Sequence, residues 1–318
     1  WLLCREPSIL PSNQSPLGAL PARFRRQRVL VVGCGDVAMR AIRQSGSHIR
    51  WMALTSSEER ITELRKAGVM PLLGNLDKAS SLRRLAGLGS RLMYLAPPPT
   101  EGWTDPRAAT LTRVLRLRSP LHSAVYGSTT GIYGDCSGEW VSETRAVSPQ
   151  TPRAQRRVHA EAVLRTWGKS TSTPIAVLRI PGIYAPDREG GTPRTRLQKG
   201  TPVLQPQDDV YTNHIHADDL ARACMRALWA GAPQRIYNVS DDTQLKMGDY
   251  FDMAADLYGL PRPPRVARDS AQKQLPVMLL SFMSESRRID NRRMKTELRL
   301  RLRYPDVAAG LVSVPFSP

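Results

Sequence analysis

From residue 29 onward, short apolar and often β-branched runs alternate with longer stretches in which apolar positions recur every three or four residues. The first pattern predicts strands buried on both faces, the second amphipathic helices. Strands are expected at Val29–Val32, Ile49–Leu54, Val69–Leu73, Arg91–Ala96, His122–Gly127 and Pro174–Ile180. Helices are expected after Ala38, at Glu58–Ala67, Lys78–Ala86, Pro106–Leu117 and Arg153–Trp167, and later at Met247–Tyr258, where Gly259 and Pro261 stop the pattern. Such alternation implies parallel strands, right-handed crossovers and helices on both faces of one sheet. Ligands of such sheets bind beyond the carboxyl ends of the strands. The loops after Leu54, Leu73, Leu95, Tyr126 and Leu178 should therefore line one cleft.

The first strand breaks directly into Gly33-Cys34-Gly35-Asp36-Val37-Ala38, a Gly-x-Gly-x-x-Ala turn, and then into Met39-Arg40-Ala41-Ile42-Arg43. Strand, glycine turn and helix in this order read as a dinucleotide-binding turn. Gly33 allows the tight turn, Gly35 lets a pyrophosphate approach the backbone, and Ala38 lets the helix lie close to the sheet. The phosphates would sit on the free N–H groups of Asp36, Val37 and Ala38 at the helix start. The expected architecture is a Rossmann-type doubly wound α/β sheet with a smaller C-terminal lobe. Residues 28–186 and 207–240 are assigned to the dinucleotide-binding domain, and 187–206 and 241–318 to the substrate-side lobe. Residues 1–27, interrupted by Pro7, Pro11, Pro16 and Pro21, read as a disordered leader, an upstream fragment or a misassigned start.

With 318 residues and 41% hydrophobic positions, the chain can bury a full core. No apolar run reaches the ~18–20 residues of a membrane helix, so a soluble protein is expected. Cys4, Cys34, Cys136 and Cys224 are scattered, without Cys-x-x-Cys or Cys/His spacing, which implies neither disulfides nor zinc and points to a reducing cytoplasm. His214 and His216, before Asp218-Asp219, are read as structural, with a carboxylate capping the next helix, and no metal is expected. The balance of 46 Lys+Arg against 28 Asp+Glu gives a net charge of +18. Arginine spread over solvated faces accounts for it. Attraction of a polyanionic cofactor or substrate, or of nucleic acid, are the alternatives, and the scarcity of aromatic residues for base stacking weighs against nucleic acid.

The segment after the fifth strand, Ser128-Thr129-Thr130-Gly131-Ile132-Tyr133-Gly134-Asp135, resembles the extended short-chain dehydrogenase/reductase family, which includes the nucleotide-sugar epimerases and dehydratases. Three further segments carry the same resemblance: Arg179-Ile180-Pro181-Gly182-Ile183-Tyr184-Ala185-Pro186, Asn213 to Ala221, and Ile236-Tyr237-Asn238-Val239. Together they span roughly residues 28–240. The resemblance implies an NAD(P)-binding enzyme, epimerase- or dehydratase-like, acting on a nucleotide-sugar or other carbonyl or hydroxyl substrate, with a homodimer as an expected assembly. In the family a Ser/Thr meets the substrate, a Tyr transfers a proton, and a Lys four residues later lowers the Tyr pKa and holds the nicotinamide ribose.

Here Thr129 takes the Ser/Thr position, while Arg153 and Arg157 stand where the Tyr and Lys belong. Arg157 can keep the ribose-holding and electrostatic role, but a guanidinium does not give up a proton at neutral pH. The proton donor is then Tyr133, His159, another group or none. A non-catalytic dinucleotide-sensing or RNA-binding protein is the alternative reading. The acidic pair of the 4,6-dehydratases is replaced by Thr130-Gly131. On the cofactor side, Thr55, Ser56 and Arg60 follow the second strand without an acid at its tip, favouring NADP over NAD. The resemblance places Asn75 and Leu76 on the adenine side, Ala96, Pro97 and Pro98 against the pyrophosphate and ribose, and Pro181 and Ile183 beside the cofactor with Thr129 and Arg157.

Overall fold

The computed structural model describes residues 27–117, 121–276, 279–280 and 283–313. Of the predicted leader, residues 1–26 lie outside these, and Gln27 opens the first strand. The strands in chain order are β1 (Gln27–Val32), β2 (Ile49–Thr55), β3 (Met70–Leu73), β4 (Arg91–Tyr94), β5 (Ser123–Thr129), β6 (Trp140–Val141), β7 (Ile175–Ile180), β8 (Gly182–Tyr184), β9 (Val203–Leu204), β10 (His214–His216), β11 (Arg235–Asn238), β12 (Arg265–Val266) and β13 (Arg288–Ile289). Seven of them form one parallel sheet in the order β11-β7-β5-β4-β1-β2-β3. This is the predicted doubly wound sheet.

The strands read as unbroken apolar runs because both faces are covered. Val29 and Val31 enter one core, Leu30 and Val32 the other, and all four are fully buried. Helices α1 (Asp36–Arg43), α2 (Arg60–Lys66) and α7 (Ala217–Ala230) supply the first core. Helices α3 (Ala79–Leu82), α4 (Pro106–Leu115) and α5 (Pro152–Ser170) supply the second. Helices α4 and α5 start where the sequence dictates: Asp105 accepts from the Ala108 N–H and Thr151 from the Ala154 N–H, each followed by a proline at the first helical position.

A third core, separate from the two that flank the sheet, gathers around Val203, Leu204, Tyr250, Phe251 and Ala254. It is built on α6 (Arg194–Gln198), α8 (Met247–Tyr258) and α9 (Arg268–Gln274), and α8 ends on Gly259 in the left-handed region. Three separate two-stranded parallel pairs, β8 with β10, β9 with β12 and β6 with β13, lie outside the main sheet, and β9 with β12 belongs to the third core.

Candidate cofactor-binding and active site

At the end of β1, Gly33 has φ +87°, and a Cβ there would fall 2.2 Å from the Ala96 nitrogen. Both the backbone angle and the approach of the β4 loop therefore require glycine. Gly35 differs. A Cβ on it would meet nothing within 4 Å, and no side chain caps the α1 N-terminus. The turn thus leaves open space over the free N–H groups of a helix start, which suits the diphosphate of a dinucleotide. Ala38 is fully buried beneath it, as close helix packing requires. Burial pushes the Cys34 thiol in this turn up to about 11, so it stays protonated and unreactive.

Arg60, in the first turn of α2, donates from Nη1 to the Cys34 carbonyl at 2.7 Å, so its guanidinium borders the glycine turn. Thr55 is buried, its hydroxyl bonded within the turn to Ser57, and Ser56 is exposed. Thr55 closes β2, Ser56 follows it, and Arg60 opens α2. Asn75 spends its side-chain oxygen on the Asp77 N–H, Leu76 packs on the second core, Pro97 is exposed and Pro98 buried. A contact the sequence did not signal ties these loops together: Arg107 of α4 holds Asp77 with two hydrogen bonds of 2.6 and 2.7 Å.

At the other end of the edge, Thr129 closes β5, and α5 carries Arg157 against the same strand at Gly127. Thr129 is half-buried, and its hydroxyl accepts from the Gly131 N–H at 3.2 Å, keeping its own proton to donate. Arg157 is 9% exposed. Its Nη1 reaches the Gly127 carbonyl at 2.7 Å, the Tyr126 hydroxyl at 3.1 Å and the Ala96 carbonyl at 3.4 Å, and no carboxylate pairs with it among the described residues. The guanidinium therefore lies at the carboxyl ends of β4 and β5. Burial, opposed by the charge of Arg157, pushes the Tyr126 phenol up to about 12. Arg153, at the position of the family's tyrosine, is exposed.

Tyr133 is 1% exposed, and its hydroxyl is spoken for twice. It donates to Asn238 Oδ1 at 2.7 Å and accepts from Arg179 Nη1 at 2.8 Å. Arg179 is itself held bidentately by Glu161. Burial raises the phenol's pKa further, so Tyr133 is placed as part of a buried network rather than as a group facing the cleft. His159 is half-buried, with Nδ1 accepting from the Asp105 N–H. Pro181 and Ile183 are half-buried at the β7–β8 junction, and Ile183 packs on the first core.

His214 and His216 serve packing. His214 lies 4.4 Å from the Tyr250 ring, and burial pulls its pKa down to about 4. The cap of α7 is not the expected carboxylate: His216 Nδ1 accepts from the Asp218 N–H, because Asp219 is turned to the Arg303 and Tyr304 N–H groups and Asp218 to Arg40. A cleft of about 580 Å³, lined by Trp140, Asp241, Thr243 and Arg288 among others, contains none of the predicted site residues.

Residues 108–240 match the model of the NAD dependent epimerase/dehydratase family. No curated protein matches the chain. Among solved structures, a functionally unknown conserved protein from Silicibacter pomeroyi is 30% identical, with 90% of this chain and 96% of that chain covered at a TM-score of 0.75. The UDP-glucuronic acid 4-epimerase of Bacillus cereus in complex with NAD is 16% identical over 90% of this chain and 96% of its own, at a TM-score of 0.71. The dTDP-glucose 4,6-dehydratase of Bacillus anthracis in complex with NAD is 15% identical over 90% and 94%, at 0.73. No described helix is long and apolar enough to cross a membrane. The fold, the glycine turn and the matches agree: this chain belongs to the NAD dependent epimerase/dehydratase family.

Proposed function

We propose that the protein binds NAD(P) along the edge from Gly33 to Arg157 and acts as an atypical oxidoreductase or epimerase-like enzyme on a nucleotide-sugar or another carbonyl or hydroxyl substrate. The observation that carries this reading is Arg157. Its guanidinium is buried without a direct ion pair among the described residues, the nearby buried Asp105 acting on it only through space. Burying a cation in this way is costly and supports a role toward a ligand. Arg157 stands where its charge would meet the nicotinamide ribose, held by the strand-end carbonyls of Ala96 and Gly127. When bound, the nicotinamide supplies hydride chemistry. The chain's own part is to hold the ribose through Arg157 and to present the Thr129 hydroxyl to the substrate oxygen.

Substitution of the Thr129 hydroxyl tests the catalytic half of this reading. Thr129→Val should lower kcat by about a hundredfold, while changing dinucleotide affinity less than threefold, because a substrate-directed hydroxyl acts in the chemical step. A panel of carbonyl and nucleotide-sugar substrates would reveal the turnover. One observation favours a second reading, a dinucleotide-responsive protein without turnover: Tyr133 is committed to the buried network, and Arg153 replaces the phenol. Tight dinucleotide binding with no turnover across the panel would select it.

The finer cofactor preference follows from the corner at Arg60. NADP(H) is favoured, because Arg60 and the exposed Ser56 would face a 2′-phosphate, and Arg60 already reaches the glycine turn, whereas the buried Thr55 hydroxyl is taken up by Ser57. A charge-assisted contact to phosphate contributes roughly 1.5–3 kcal/mol. Arg60→Ala should therefore narrow the ratio of NADPH to NADH affinity about tenfold. An unchanged ratio in paired titrations would remove Arg60 from the site.

A further inference from the structure

Asp36 follows Gly35 directly and occupies the first turn of α1. A carboxylate there suits the positive end of the helix dipole, but it opposes a diphosphate approaching the same N–H groups. The structure neutralises it from two sides. Its Oδ1 accepts from Arg40 Nε at 3.0 Å and its Oδ2 from Arg188 Nη1 at 2.6 Å. The two arginines are unlike. Arg40 is 5% exposed and also binds Asp187 at 2.7 Å and Asp218 at 2.8 Å, so it is locked in place by three carboxylates. Arg188 is partly exposed and makes this one ion pair among the described residues. It comes from the chain between β8 and α6, where its N–H bonds the Ala185 carbonyl and its carbonyl accepts from Gly191.

Charge sharpens the contrast. Across Asp36, Asp187, Asp218, Arg40 and Arg188 the formal sum is −1, so this cluster offers a diphosphate no net positive charge unless one of its cations turns toward it, while Arg60 reaches the turn separately at the Cys34 carbonyl. Arg40 cannot turn without stranding two other carboxylates. Arg188 can, since Asp36 would keep Arg40. We propose that Arg188 is a diphosphate-binding residue, with Asp36 holding its guanidinium at the α1 N-terminus until the diphosphate of the dinucleotide replaces that carboxylate. This rests on the dinucleotide reading of the Gly33–Ala38 turn.

A double-mutant cycle on the full chain tests it, with NADH, NADPH and ADP-ribose titrated into wild type, Arg188→Ala, Asp36→Asn and the double variant. Arg188→Ala should weaken all three ligands about tenfold or more, the scale of one charge-assisted contact to phosphate. Asp36→Asn, which removes the competing anion, should tighten them several-fold. The informative comparison is Arg188→Ala within the Asp36→Asn background. A direct phosphate contact predicts a loss of at least tenfold there too. If Arg188 only neutralised Asp36, that loss would vanish, and the inference would be overturned. Absence of binding by wild type would overturn the cofactor reading and this inference with it, whereas wild-type binding with silent Arg188→Ala overturns the inference alone. Thermal melts confirm that each variant is folded.

Discussion

Gly35→Val is expected to abolish detectable NAD(P)(H) binding, a loss of a hundredfold or more, while leaving the melting temperature close to that of the wild type. The valine side chain would project into the space where the diphosphate must approach, yet its Cβ meets no protein atom within 4 Å. The backbone there, φ −88° and ψ −163°, is extended and open to any residue. Gly33→Ala should do the reverse in kind. At φ +87° and 2.2 Å from Ala96, the added methyl forces strand end and loop apart, and the cost should be ~3 kcal/mol or more of stability. Calorimetric titration and thermal melts of the two variants separate the effects. Equal binding by folded Gly35→Val protein would remove the diphosphate from this turn.

Glu161→Ala should be the most destabilising polar substitution in the main domain, at about 3–5 kcal/mol. Glu161 and Arg179 are 7% and 5% exposed, and removing the carboxylate leaves a buried guanidinium whose remaining side-chain partner is the Tyr133 hydroxyl. That network joins α5, β7, the segment after β5, and β11 through Asn238, so its loss loosens the strand ends that frame Thr129 and Arg157. Denaturant unfolding measures the effect. A loss below about 1 kcal/mol would show that the pair is dispensable.

The main sheet was legible because buried parallel strands carry their signal locally, in runs such as Val29–Val32 and Ile175–Ile180 that need both faces covered. The glycine turn was legible for the same reason, since strand, turn and helix adjoin in sequence. Boundaries slipped where side chains rather than periodicity decide them. The second helix starts at Arg60 and not Glu58, because Thr55 and Ser57 close a turn first. The two-residue strands β6, β9, β12 and β13 are too short to show any period.

Long-range pairings were hidden altogether. Arg40 with Asp187 and Asp218, Arg107 with Asp77, and Tyr133 with Asn238 and Arg179 join residues tens to more than a hundred positions apart. Tyr133 shows the consequence. Its motif places it beside the catalytic position, but only the structure shows its hydroxyl consumed in the core. Arg157 shows the converse: that its guanidinium is buried on the Ala96 and Gly127 carbonyls without a direct ion pair among the described residues became visible only with β4 and β5 in place.

The proposed dinucleotide would stretch from the Gly33–Ala38 turn to Arg157. Isothermal titration of NADH and NADPH into wild type and Arg157→Ala, side by side, tests it most directly. One-to-one binding by the wild type is expected, with at least tenfold weaker binding of both dinucleotides by folded Arg157→Ala, the scale of a lost charge-assisted contact. No binding of either dinucleotide by the wild type, or equal binding by the two proteins, would contradict it.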